Sequence, residues 1–216
     1  MIFLLDDKIL NPTQNLKNDH ITIRRVKDIA GKCSNLLYSN QYVPIEDMEI
    51  MSVIIEEFID NFHHGKEEKA YFPETKDKNG FAEDIRKFLI EHELGRRIAM
   101  MLRRELKELK ENIRKDERGN VVILNSNQKK KVSIYEPVAR FLKSYAVFIE
   151  DHTGKEDKFF DLIYDKNKLS TEEEERLLNH YMLCSNQAGG EAKIKELLRL
   201  IEYLEERDWM KDKYEK

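Results

Sequence analysis

Two short stretches of this chain each place a histidine four residues before a glutamate. His63 and Glu67 do so in HHGKEEKAYF, and His152 and Glu156 do so in HTGKEDKFF. Aligning GKEEK at 65–69 with GKEDK at 154–158 pairs His63 with His152 and Glu67 with Glu156. On a helix this spacing stacks the two side chains on one face, with Cβ atoms about 5–6 Å apart. An imidazole and a carboxylate on one face can chelate a metal, and two such helices facing each other could hold two. For a lone pair of this kind a surface ion pair is the default. Its duplication reverses that judgement.

A second repeat precedes each copy. Asp19-His20 is followed by Arg24-Arg25-Val26, and Glu91-His92 by Arg96-Arg97-Ile98. Each half of the chain thus gives one lone histidine and then one histidine–glutamate pair. The period is too long for a solenoid, so the reading is an internal duplication of a helix pair. His64 lies about 100° around an α-helix from His63 and aligns with Thr153, so it is placed beside the ligands or at the rim of the site, with its own ligation left open. His180 falls outside both repeats and reads as structural. Arg24 and Arg96 share a face with His20 and His92, where they could hold carboxylates near the site or pair locally with Asp28 or Glu93. Glu68 and Asp157 are expected to point away, and Tyr71 and Phe160 to line the site or pack in the core.

These residues need helices to carry them. Asn11-Pro12 reads as a cap with proline in the first turn. Helical apolar spacing then runs over 13–40, with a break at 41–44. A second helix is expected over 46–72, ending at Pro73, and a third over 81–115. The segment 117–133 reads as a long loop or a small hairpin around 121–124, and a fourth helix covers 134–164. The lone histidines fall early in the first and third helices, and the pairs fall late in the second and fourth. In an up-down-up-down antiparallel four-helix bundle those positions share one height. The fold class is therefore all-α, with a bundle over 1–165 and a helical extension over 166–216. In the extension Ser170-Thr171 starts one helix, Gly189-Gly190 breaks it, and a last helix is expected over 191–213. That extension either packs on the bundle or forms a homodimer surface.

Composition agrees. Charged residues make up 37% of the 216-residue chain, with only 8 glycines and 4 prolines. A net charge of −4 argues against a general nucleic-acid or anionic-membrane binder, and the Lys129–Lys131 run is too short to overturn it. The apolar start at 1–5 is too short for a secretory or membrane segment, so a soluble cytoplasmic protein is expected. Cys33 and Cys184 form no CxxC motif and read as buried or incidental thiols.

With these residues in hand, the chain resembles the hemerythrin-like, HHE cation-binding family. The matching pieces are Asp19-His20, the HxxxEExxxFP stretch ending at Pro73, EHELGRR around His92, and HTGKEDKFF. The resemblance implies a four-helix bundle with a non-heme di-iron site whose two ions are bridged by carboxylates. Carried over, the ligands are His20, His63, Glu67, His92, His152 and Glu156. Oxygen-carrying hemerythrins supply two histidines four apart from the third helix, whereas here Arg96 stands four beyond His92. The set of four histidines and two carboxylates resembles instead bacterial iron–sulfur-cluster repair proteins and the hemerythrin-like domain of a eukaryotic iron sensor.

With two imidazoles and one oxygen from each glutamate, an octahedral ion on either side would keep an open position for a small oxidant. Iron suits these donors, with manganese or zinc as alternatives. One tetrahedral zinc cannot use six donors. The ferritin-like di-iron class needs Glu-x-x-His, and no histidine here has a glutamate three residues before it. The sequence supports a protein that binds or senses oxygen, nitric oxide or peroxide, or handles iron. The second reading is an enzyme for nitric oxide or peroxide reduction or for iron–sulfur cluster repair. A metal-free adaptor acting through its C-terminal helices is the third reading.

Overall fold

The Asn11 side chain accepts from the Gln14 amide at 2.8 Å, and Pro12 occupies the first turn, so the first helix begins where the cap signal places it. The computed structural model describes residues 4–5, 8–9, 11–78, 80–115, 121–123, 133–166 and 169–211. Apart from turns and connecting segments, these are helical, with two short antiparallel strand pairs. Strand β1 (Leu4–Leu5) pairs with β2 (Lys8–Ile9), and β3 (Ile113–Lys115) with β4 (Val121–Ile123). Helix α1 spans Pro12–Tyr38. Helix α2 covers 45–75, α3 spans Ala82–Asn112, and α4 spans Glu136–Lys166. Two further helices follow, α5 (Thr171–Gln187) and α6 (Gly190–Glu205).

Three boundaries differ from the sequence expectation. The third helix stops at Asn112, and the chain continues as β3, the first strand of the small hairpin. The last helix ends at Glu205 rather than 213, in a turn, and 212–213 and the Lys129–Lys131 run lie outside the described residues. Helix α2 passes Pro73 and ends at Thr75. It also changes character along its length: Ile45–Ile54 is α-helical, while Ile55–His64 and Glu67–Tyr71 form wider π-helical turns. A π turn already breaks the i−4 hydrogen-bond ladder, so a proline directly after one interrupts little.

Neighbouring helices run in opposite directions. Ascending α1 descends α4: Lys17 meets Asp161, Lys27 meets Glu150, and the Ser34 hydroxyl donates to the Ala139 carbonyl at 2.8 Å. Helices α2 and α3 show the same order, Lys110 with Glu49, Arg103 with Glu56, and Arg96 with Asp60. Asn15 meets Lys66 and Asp19 meets His63 between α1 and α2, while Glu91 meets His152 between α3 and α4. The early turns of α1 and α3 therefore stand level with the late turns of α2 and α4.

A large apolar core joins these helices, with Ile23, Val26, Ile29, Met51, Ile54, Leu102 and Leu142 fully or almost fully buried. Burying each such side chain contributes about 1.5–3 kcal/mol. A second, mostly aromatic cluster contains Tyr71, Phe72, Phe81, Phe88, Phe159 and Phe160. Helix α5 adds Leu177 and Tyr181 to the aromatic cluster, and α6 adds Ile194, Leu197, Ile201 and Leu204 to the main core. The Ser170 hydroxyl and Glu173 carboxylate form the capping box that starts α5, and Gly189 and Gly190, both at positive φ, turn the chain into α6. Arg25 then pins α6 through Glu205 at 2.6 Å. No described helix is long and apolar enough to cross a membrane.

Candidate metal centre

All six residues singled out from the repeats converge in the interior. His20, His63, Glu67, His92 and Glu156 are fully buried, and His152 is 1% exposed. One donor atom from each of His20, His63, Glu67 and Glu156 lies within 4.8 Å of the others. His92 and His152 fall into a second such group, and its third member is His64. Of the two placements the sequence left for His64, beside the ligands or at the rim, the structure shows the first: it is buried, with its ring stacked on His92 at 3.9 Å between centroids. The change of helix type accounts for this. A π turn takes more residues per turn, so adjacent side chains diverge by less than the α-helical 100° or so, and His63 and His64 both reach inward.

The glutamates lie between the two groups. Glu67 Oε1 is 3.3 Å from His63 Nε2, while its Oε2 is 3.4 Å from His92 Nε2. Glu156 Oε2 lies 3.4 Å from His20 and 3.2 Å from His152, while its Oε1 is 3.3 Å from His92. Both Glu67 oxygens, Glu156 Oε2 and His152 Nε2 are buried without a hydrogen bond. Unbonded carboxylate oxygens are costly in an interior unless something else supplies positive charge. Their convergence with imidazole nitrogens is the donor chemistry of a metal site, so the residues fit one.

The outward ring nitrogen of every clustered histidine faces a carboxylate. His63 Nδ1 lies 3.1 Å from Asp19, His152 Nδ1 2.9 Å from Glu91, His20 Nδ1 2.8 Å from Asp157, and His92 Nδ1 2.8 Å from Glu68. His64 Nδ1 is 3.4 Å from Asp60. Such partners fix ring orientation and leave Nε2 directed at the centre. Glu68 and Asp157 therefore turn inward, against the expectation that they point away. Arg24 bonds Asp157, and Arg96 bonds Glu68 and Asp60 at 2.7 Å each, so both arginines hold carboxylates near the site. Arg97 makes the local ion pair, with Glu93. The repeat contained a signal for this layer: an acid before each lone histidine and another after each glutamate.

Phe160 stacks on His20, Phe72 on His92 and Phe148 on His152, with centroids 5.2–5.9 Å apart. Phe72 is five residues beyond Glu67 whereas Phe160 is four beyond Glu156, the one-residue excess that a π turn absorbs. Tyr71 donates to or accepts from Thr13 at 2.8 Å and packs edge-on against Phe160. Exposed His180 joins no described cluster, and both cysteines are free and buried.

The buried carboxylates and imidazoles shift one another's protonation. Burial opposes a positive His20, yet its hydrogen bond to Asp157 and the nearby Glu156 and Glu67 carboxylates raise it to about 9. Burial is likewise outweighed at His92, where Glu156 and Glu68 raise it to about 10. Burial, with the charges of His92, His63 and His152, keeps His64 well below the usual imidazole range. Burial would raise Glu156, but His152, His20 and His92 hold it well below the carboxylate range.

Comparison with curated proteins and with solved structures gives no match. Among protein families, the hemerythrin HHE cation-binding domain matches residues 11–163, a span containing every residue of this cluster. The chain belongs to the hemerythrin HHE cation-binding domain family.

Proposed function

We propose that this is a non-heme di-iron protein whose helices α1–α4 form an up-down-up-down bundle, and that it binds or senses a small oxidant or handles iron. The observation that carries the reading is the placement of the two glutamates between the histidine groups: Glu67 has one oxygen toward each, and Glu156 has Oε1 toward His92 and Oε2 between His20 and His152. That is what a carboxylate bridging two ions requires. His20 and His63 would hold one ion and His92 and His152 the other, with both glutamates shared. Mixed imidazole and carboxylate donors favour iron over manganese or zinc.

Bound iron would supply an electron-rich, open coordination position for oxygen, nitric oxide or peroxide. The chain's own residues prepare that position. Asp19, Glu68, Glu91 and Asp157 orient the rings, while Phe72, Phe148 and Phe160 restrict water. His20 and His92 carry protons that metal uptake would displace. A cavity of about 20 Å³ beside His64, Asp60, Arg96 and Tyr145 has room for about one water-sized molecule, the scale of the ligands proposed.

Iron analysis after anaerobic loading tests the reading, with two irons per chain expected. Glu67→Ala and Glu156→Ala should each lower the content below two; two irons retained in both variants would refute the bridging role. Oxygen exposure of the reduced protein separates binding from turnover, a reversible spectrum supporting binding and rapid irreversible oxidation supporting catalysis.

A further inference from the structure

We infer that Tyr181, on α5 and beyond the family domain, is a positioning residue of the metal centre, donating a hydrogen bond to the Glu67 carboxylate when metal is bound. This rests on the di-iron reading above. Tyr181 is 3% exposed, and its hydroxyl is buried without a hydrogen-bond partner. An interior phenol in that state costs stability that a phenylalanine of nearly the same shape would not. The family match ends at residue 163, so the group comes from the C-terminal extension.

The surroundings leave one acceptor for it. Tyr181 packs in the aromatic cluster with Tyr71, and Lys66 Nζ stands 5.3 Å from the centre of its ring. Those two residues flank Glu67, Lys66 directly before it and Tyr71 four residues beyond. Burial pushes the Tyr181 hydroxyl well up, and Tyr71, Glu67, Asp19 and Cys184 add to the effect. Three of these four neighbours are engaged elsewhere. The Tyr71 hydroxyl pairs with Thr13 at 2.8 Å, Asp19 pairs with Lys66 and His63, and the Cys184 thiol donates to the Gly65 carbonyl at 3.4 Å. Of the four, Glu67 alone has its side-chain oxygens unbonded. An unpaired donor and an unpaired acceptor thus share one buried corner. A carboxylate that bridges two ions gives each metal one lone pair and keeps a second on each oxygen. The phenol supplies the proton for one of those. Such a bond fixes the bridge, draws charge from it and so favours the ferrous state, and makes the docking of α5 part of the site.

The test compares Tyr181→Phe with wild type in the full chain, loaded anaerobically with ferrous iron. Without metal the variant should unfold at the same urea concentration as wild type or a higher one, because an unpaired hydroxyl has been removed. Loaded, it should bind iron about 10-fold less tightly in chelator competition, and its reduction potential should fall. In a Glu67→Ala background the same substitution should leave the affinity for the remaining iron unchanged. A drop in the urea midpoint without metal would show the hydroxyl already bonded within the chain and would overturn the role. A full 10-fold loss in the Glu67→Ala background would overturn it by placing the acceptor elsewhere. Unchanged affinity and potential, in a wild type that holds two irons, would overturn it and leave the di-iron reading standing. A wild type that takes up no iron would overturn both together.

Discussion

Lys66 and Lys155 occupy matching places in the two halves of the chain, and each braces the acid that precedes its half's lone histidine. Lys66 pairs with Asp19, which faces His63; Lys155 pairs with Glu91 at 2.8 Å, which faces His152. The wiring is the same and the surroundings are not. The Lys66 side chain is 2% exposed, lying 4.4 Å over the Phe62 ring and 5.3 Å from that of Tyr181 on α5. Lys155 is 46% exposed and shares its charge with Asp151. The C-terminal helices thus cover the first half and leave the second facing solvent. The repeat carries the same pattern of contacts in both halves, and the C-terminal helices change the dielectric around one of them.

This contrast predicts unequal losses from equal substitutions. Lys66→Met removes one partner of a buried pair and leaves the Asp19 carboxylate with His63 and little water. A loss on the order of 3 kcal/mol is expected. Lys155→Met acts on a solvated pair and should cost about 0–1 kcal/mol. Urea unfolding of the metal-free chain measures both. Equal losses would mean that α5 does not shield the first half, and that the likeness of the copies extends to their energetics.

The arginines sharpen the comparison at the next level down. Arg24 braces Asp157 alone, whereas Arg96 braces both Glu68 and Asp60, and so touches the partners of both His92 and His64. Partners of metal-held histidines are worth about 10- to 100-fold in affinity, and a group one contact further out should be worth less. Arg96→Ala is expected to weaken iron binding about 10-fold and Arg24→Ala only a few-fold, read by chelator competition. A larger loss from Arg24 would mean that bracing two carboxylates is worth no more to the site than bracing one.

The parts legible in the sequence were those repeated in it. Helix starts at Asn11 and Ser170 follow from local side-chain caps, and the convergence of six donors follows from their matching heights along four helices. What escaped depends on packing. A π turn has no composition of its own, so the inward turn of His64 could not be read from a 100° rule written for α-helices. Glu68 and Asp157 escaped for a different reason. The buried face of a packed helix is wide enough to include the residue after an inward glutamate. These acids sit on the seam with a neighbouring helix, where the lone histidine of that neighbour presents its Nδ1.

The last contrast belongs to the glycines of the repeat. Gly65 and Gly154 align, both lie in continuous helix, and a Cβ added to either meets no atom within 4 Å. Neither copy therefore needs glycine for space. Alanine in a helix interior is better than glycine by about 0.8–1.0 kcal/mol, because the unfolded chain loses freedom and the helix does not. Gly154→Ala should gain about that much. Gly65 is buried, close enough to α5 that its carbonyl accepts from the Cys184 thiol at 3.4 Å, so its new methyl also leaves water. Burial of that group adds up to about 0.8 kcal/mol, so Gly65→Ala should gain more than its counterpart. A thermal shift larger at 65 than at 154 would show the cover of α5 acting even where no charge is involved. A loss at 65 would instead mean that the wide turns of α2 on either side of it, at 55–64 and 67–71, need glycine's backbone freedom between them.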